Sequence, residues 1–402
     1  MRLLASAVLL LVFTFAPVKG EILFVPEHYE SITQAIESAS IGDTVLVGQG
    51  TYYEHVDFQG KDLTVASRYF DTKNFGYVRT TIISGARISP IRSESGSVVT
   101  FQNGETNAAK LIGFTIRDGF GTLIADQFHG GGIICRNNSH PTIAYNIIKF
   151  NNALDGGGCY FTDSDPQFLY NTVDSNNAAI GGGISMDNSR AFINHCIFAF
   201  NRATEEGGAA YIFLSDNTRI YNSVFYRNNS ASVGGIGCFF SYPEIGYNDF
   251  YNNSGGNFGD CMLDLGDTTC CVNYNRLPAD QFANIYRDPL FRKPSSHDFM
   301  PLASSPLLDA AIDTNSYCPQ NGPMLDIGLF EYSYLIGDCN VDGSFNLADI
   351  LFLINYIFHQ GAAPVPIWSG DFNLDRRANL VDVGNMINYI FKHGPAACDF
   401  LK

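Results

Sequence analysis

Between residues 130 and 253 the chain repeats itself about every 25 residues, and this period constrains the fold more than any other feature. Three glycine runs stand in register, Gly130-Gly131-Gly132, Gly156-Gly157-Gly158 and Gly181-Gly182-Gly183, followed by the pairs Gly207-Gly208 and Gly234-Gly235. A second column runs Pro141, Pro166, Ala191, Thr218 and Pro243, with Ile143, Phe168, Ile193, Ile220 and Ile245 two residues further on. A third is Asn151, Asn176, Asn201, Asn228 and Asn253. After the glycines, residues such as Cys159-Tyr160-Phe161 alternate in the manner of a strand. One such strand buries little. Coils stacked at ~4.8 Å bring equivalent residues into contact and build a continuous apolar interior. The repeat therefore predicts an all-β, right-handed parallel β-helix solenoid, with Cys135, Phe161, Met186, Tyr211 and Cys238 as one interior stack. Glycine and asparagine at the corners are expected to supply positive φ, with the asparagine amides bonding to the next coil.

The preceding segment suits the start of a solenoid. Ile32, Ala35, Ile36 and Ala39 have helical spacing within 31–40, between strand-like 21–25 and 43–47. An open solenoid end exposes its core and an unpaired strand edge, so this helix is expected to cap it. The Ile-x-x-Ala-Ile segment, Gly42-Asp43-Thr44-Val45-Leu46-Val47 and Gly50-Thr51-Tyr52-Tyr53-Glu54 together resemble the opening of secreted pectin-lyase-like β-helix proteins. Asp288-Pro289-Leu290-Phe291, 305–310 and 326–331 resemble the closing segment of such proteins, with Ala311 and Leu329 departing from the usual Gly and Ala. The resemblance implies a β-helix over 21–332.

A second repeat, shifted by 33 residues, occupies 338–394: the tetrapeptide Asn-Tyr-Ile-Phe occurs at 355–358 and again at 388–391. Oxygen donors recur at loop positions 1, 3, 5, 9 and 12, as Asp338, Asn340, Asp342, Asn346 and Asp349, then Asp371, Asn373, Asp375, Asn379 and Asp382. Ser344 and Arg377 occupy position 7, which offers a main-chain carbonyl. Such a set suits a hard cation with six to eight oxygen ligands, so calcium is expected at two sites and zinc is not. Each loop runs into an amphipathic segment, 347–360 or 380–393, followed by Gly361 or Gly394 in C-cap position. Loop plus exit helix, twice, with Asp at position 12, resembles the type I dockerin domain and implies a small α-helical calcium-binding module over 333–402 with a cohesin domain as possible partner. The recognition positions 10 and 11 hold Leu347-Ala348 and Leu380-Val381 rather than small polar residues. Gly343 stands at the sharp-turn position 6 of loop one but Arg376 does so in loop two, which predicts weaker binding there.

Residues 1–20 have the charged start and apolar run of a secretory leader, too short to span a bilayer, and no other run serves as a transmembrane segment. The expected location is extracellular, secreted or at the cell surface. Export permits disulfides among the ten cysteines; Cys339 and Cys398 bracket the second repeat and are the expected pair. A net charge of −16 without a basic face excludes nucleic acid.

Two readings of the solenoid follow. One is an enzyme acting on polysaccharide, as lyase or hydrolase; the other is a non-catalytic adhesin or structural surface protein. Coil alignment places Asp163, Asp165, Asp187, Arg190 and Asp216 along one edge, with Arg136 and His140 in the coil before, a set that solvated turn residues explain equally well. No catalytic residue is assigned from sequence. Lone histidines such as His129 and His195 are read as packed or surface groups.

Overall fold

The computed structural model describes residues 20–86, 96–261, 265, 266, 268, 270–273, 275–312 and 325–397. The expected leader lies outside these residues except for Gly20. The described strands form three long parallel sheets of nine, eight and eight members. Each coil gives one strand to each sheet: Thr142–Ala144 to sheet one, Ile147–Lys149 to sheet two and Cys159–Thr162 to sheet three, where it pairs with Ile133–Cys135 of the coil before. The protein is a parallel β-helix.

The expected column Ile143, Phe168, Ile193, Ile220, Ile245 is in continuous register along sheet one and buried. The expected sheet-three stack needs one correction. Cys135, Phe161, Met186, Ile212 and Cys238 are partners, so Ile212 replaces Tyr211 in the interior. The pair Gly207-Gly208 is followed by Ala209 in the third glycine position, so its strand begins one residue later than the last glycine suggests. A slip of one residue turns every side chain to the opposite face.

The asparagine column also divides its labour differently. The left-handed residues are those just before it, Phe150, Ser175, Phe200, Arg227 and Asn252, at φ between 52° and 56°. Asn151, Asn176, Asn201 and Asn228 instead form a buried ladder, each amide donating to the next Oδ1 at 3.0 Å. A second ladder, unread in the sequence, starts at Asn146–Asn171 and passes through Cys196 and Ser223 to Asn248 and Asn284. Their amides also donate to main-chain carbonyls of neighbouring coils, such as Ile116 O and Ile148 O, so the buried side chains are satisfied. The left-handed conformation is where expected at the glycines: Gly156 has φ +65°, and a Cβ on Gly157 would lie 2.5 Å from Asn177 O.

The expected cap is the helix Ile32–Ser38, which buries Ile32, Ala35 and Ile36 on the first coils. Glu54 accepts from Ile32 N at 3.0 Å and Thr33 N at 2.9 Å, while Lys61 Nζ donates to the carbonyls of Ile36, Glu37 and Ala39 at 2.7–2.9 Å. The next coils thus satisfy both ends of a helix too short to hold itself together. At the far end a disulfide joins Cys238 to Cys261. Beyond Gly259 the chain returns to the stack at Ile285, which bridges Asp249 of sheet two. Phe291, Phe299, Leu307 and Leu329 then pack on the outward residues Ile197, Ala199, Val224 and Tyr226 of sheet two.

The second repeat has its own small core, including Ile350, Leu353, Phe372, Val383 and Met386. Its helices are Leu347–His359 and Leu380–Lys392. Their left-handed caps are Gln360 and His393, one residue before the expected glycines. Cys339 is buried in this core beside Ala397, but Cys398, its expected partner, lies outside the described residues.

Candidate functional sites

The two loops of the second repeat have matching geometry. Asp338 accepts from Asp342 N at 3.1 Å and Gly343 N at 2.9 Å; Asp371 accepts from Asp375 N at 3.1 Å and Arg376 N at 2.6 Å. Asp349 and Asp382 reach back to Asn340 N and Asn373 N, at 3.2 and 3.0 Å, while their second oxygens hold the N-cap residues of the exit helices. Asn346 and Asn379 turn their side-chain oxygens to Ala348 N and Val381 N as N-caps. Asp342, Asp375, Ser344 and Arg377 are exposed, with Asn340 and Asn373 half-buried.

Asp338, Asp349, Asp371 and Asp382 are buried, and no ion pair among the described residues reaches them. Burial, with Asp382 second, pushes the Asp371 carboxyl up to about 6. Buried carboxylates without a counter-charge are costly, so the donor chemistry suits a bound cation. Among the described residues no three His, Cys, Asp or Glu side chains are arranged to hold a metal by themselves. A loop-bound ion would therefore draw on asparagine and main-chain oxygens as well.

The loops differ in ways that follow from position 6. Gly343 sits at φ +84° and Arg376 at +67°, the same left-handed turn with and without a side chain. In loop two the position 7 carbonyl accepts from Asn379 Nδ2 at 3.0 Å, and Arg276 of the β-helix donates to Asp375 O at 3.2 Å.

A second candidate lies on the outer face of sheet three. The residue before each glycine run pairs with its counterpart in the next coil, giving a ladder of His129, Asp155, Ile180 and Glu206. Alongside it, the outward positions Ile134, Tyr160, Ser185, Tyr211 and Gly237 form a floor. Thr162, Asp187, Phe213 and Phe239, two residues later in their strands, and Arg136, just past the end of Ile133–Cys135, form the far side. The result is a trough. His129 Nδ1 lies 3.2 Å from Asp155 Oδ2, and its ring sits 4.7 Å from that of Tyr160. Gly237 makes room for Glu206, whose Oε1 would come within 2.9 Å of a Cβ there.

Two trough carboxyls are raised from the ordinary carboxylate value. Asp187 is raised by burial and then by Asp163, and Glu206 by burial and then by Asp260. They stand one coil apart, ~4.8 Å along the axis, on opposite sides of the Ser185–Tyr211 floor. Burial and the charges of Asp187 and Asp155 raise the Tyr160 phenol as well. Raised carboxyls on an outer sheet face are candidates for acid–base chemistry.

Of the edge residues aligned from sequence, Asp187 and Arg136 enter the trough wall. Asp165 accepts from Arg190 N at 2.7 Å and Asp216 from Tyr242 N at 2.9 Å; His140 accepts from Asp165 N at 2.8 Å and Arg136 binds Gln102. These are turn bonds between coils. Asp163 accepts from Asn188 at 2.6 Å. His195 is packed as expected, stacked at 4.9 Å on Tyr170 with Nδ1 3.1 Å from Gly328 O. His129 and Glu206 were legible as the column just before each glycine run.

Residues 336–391 match the family model of the dockerin type I domain. No curated protein matches the chain in sequence. Among solved structures, a pectin methylesterase in complex with a hexasaccharide is 11% identical with a TM-score of 0.36, over 59% of this chain and 80% of that one. The PL6 family alginate lyase AlyGC is 15% identical at 0.34, over 62% and 41%. Pectin methylesterase PemA from Erwinia chrysanthemi is 12% identical at 0.27, over 60% and 81%. Likeness at these scores carries no argument about activity.

Proposed function

We propose that this is an exported polysaccharide-acting protein that works at the sheet-three trough and is tethered to a cohesin on a scaffold or cell surface through its dockerin module. The observation that carries the reading is the pair Asp187 and Glu206, both raised by burial, on either side of a floor in which Tyr160 is buried and Tyr211 half-buried. Tyrosines offer ring faces and hydroxyls to a sugar, and a pair of carboxyls supplies the acid and the base or nucleophile of glycoside hydrolysis. A proton-abstracting lyase would use His129, held by Asp155, as its base. The carboxyl pair favours hydrolysis.

The tether takes calcium at two sites, with Asp338, Asn340, Asp342, Asn346 and Asp349 around one, Asp371, Asn373, Asp375, Asn379 and Asp382 around the other, and the carbonyls of Ser344 and Arg377 completing each set. Bound calcium neutralises the buried carboxylates and fixes the exit helices. Loop two is the weaker site, because Arg376 is strained, its position 7 carbonyl is engaged and Arg276 adds positive charge. The β-helix over 21–332 and the module over 333–402 are its working parts.

The test is turnover of neutral and uronic polysaccharides by the whole chain in calcium, following reducing ends and unsaturated products together. Reducing ends without unsaturation support the hydrolase. Unsaturated products transfer the chemistry to His129, and no product across the panel supports an adhesin.

A further inference from the structure

The outer corner of sheet three changes chemistry along the solenoid. The far-side positions of the trough are Thr162, Asp187, Phe213 and Phe239 in successive coils. The left-handed corner residues that follow them are Asp163, Asn188, Leu214 and Phe240. Both columns are polar in the first two coils and apolar in the next two. A corner that only meets water is served by pairs such as Asn188 and Asp163, where the amide donates to the carboxylate at 2.6 Å. In the later coils Phe213 and Phe239 stack at 5.8 Å, and Phe240 packs edge to face on Phe239 at 4.4 Å. Phe240 is nevertheless 69% exposed, and Tyr242, two residues further along the corner, 71%. Rings that brace one another while staying open to water form a preformed apolar shelf, and contiguous exposed apolar surface of this kind marks a binding site.

The occupant is limited by the charge of the trough that the shelf borders. Glu206 lies against Gly237 and Gly259, whose coils carry the shelf. The charges acting on the Tyr211 hydroxyl are Glu206, Asp155 and Asp260, and those acting on the Tyr160 hydroxyl are Asp187, Asp155 and Asp163. The cations at the trough are engaged, His129 with Asp155 and Arg136 with Gln102. Arg190, on the outer corner, shares its column with Asp165 and Asp216. A polyanion would bring one like charge per residue into this field. A neutral pyranose brings none, and the C–H groups on its ring face suit an aromatic face.

Given a polysaccharide site at the trough, on which this rests, we propose that Phe213, Phe239, Phe240 and Tyr242 form a sugar subsite for a neutral hexose residue of a glycan lying in the trough, so that the protein selects neutral over uronic polysaccharide. The shelf continues the wall that carries Asp187, so one glycan chain reaches both.

The experiment is a calorimetric titration of the whole chain in calcium with cellohexaose, mannohexaose and hexagalacturonate, repeated on Phe240→Ala and Tyr242→Ala, with sedimentation velocity alongside. Both side chains stand mostly in solvent, so the fold should survive, and the melting temperature verifies it. The expected result is binding of at least one neutral hexaose with a Kd on the order of 0.01–1 mM, weakened about three- to tenfold by each substitution, with hexagalacturonate at least about tenfold weaker than the neutral ligand. Hexagalacturonate binding as tight as the neutral ligand overturns the proposal and leaves the polysaccharide reading standing, as does neutral binding that neither substitution weakens. A dimer that Phe240→Ala disperses assigns the shelf to a second copy of the chain and also overturns it. Binding of none of the three hexaoses overturns the subsite and the polysaccharide reading together.

Discussion

Arg376 stands in the position Gly343 occupies in the other loop, with the same left-handed backbone. A side chain in that turn costs ~1 kcal/mol or more. The loops should therefore titrate separately, the first saturating at lower calcium. Calorimetry on Asp338→Ala and Asp371→Ala checks the order: the first substitution should remove the tighter transition, and a larger loss from the second would reverse the assignment. In the solenoid, the neighbours Tyr211 and Ile212 make a paired test of register. Ile212 is wholly buried in the stack and Tyr211 faces the trough. Ile212→Ala should cost ~2–5 kcal/mol, whereas Tyr211→Ala should cost far less stability and weaken polysaccharide binding, as chemical denaturation and affinity electrophoresis would report.

At the scale of the element, the asparagine ladder is a chain of buried amides in which each member serves its neighbours on both sides. Replacing Asn176 by alanine strips a partner from Asn151 and leaves Ile148 O without its donor at 2.9 Å. The expected loss is ~1–3 kcal/mol, and urea unfolding should record it in the midpoint with an unchanged slope. The sequence made the coils legible because each repeats the same columns: glycine run, interior apolar position and asparagine. It was less legible where a column changes chemistry. Cys196 and Ser223 stand in for asparagine in the second ladder, and Ala209 for the third glycine, so one ladder went unread and one strand was set a residue early. The trough was missed for a different reason: its members come from different coils and columns, and proximity across a sheet is a property of the stack.

For the whole molecule, the junction between solenoid and module rests on buried acids. Asp326 accepts from Asp309 N at 2.8 Å and Tyr332 N at 2.7 Å, Glu331 accepts from Asp326 N at 3.0 Å, and Tyr334 donates to Asp309 at 2.6 Å. Burial raises both Asp326 and Glu331 above the ordinary carboxylate range, and Glu331 and Asp309 raise Asp326 further. The folded state therefore holds these protons more tightly than the unfolded one. Their contribution is fully present below the unfolded pKa of ~4 and is lost as pH rises through the elevated folded values. Thermal melts should show stability falling across that rise, and Glu331→Gln should flatten the dependence; an unchanged profile would remove these acids from the account.

The claim that joins these scales is that the sheet-three trough acts on polysaccharide. Its most direct measurement is kcat/KM on the best substrate of the panel for the wild-type chain, Asp187→Asn and Glu206→Gln, with melting temperatures alongside. The account predicts losses of roughly 10²–10⁴-fold for each substitution in proteins that melt like the wild type. Turnover that survives both substitutions would contradict it and place the chemistry elsewhere on the solenoid.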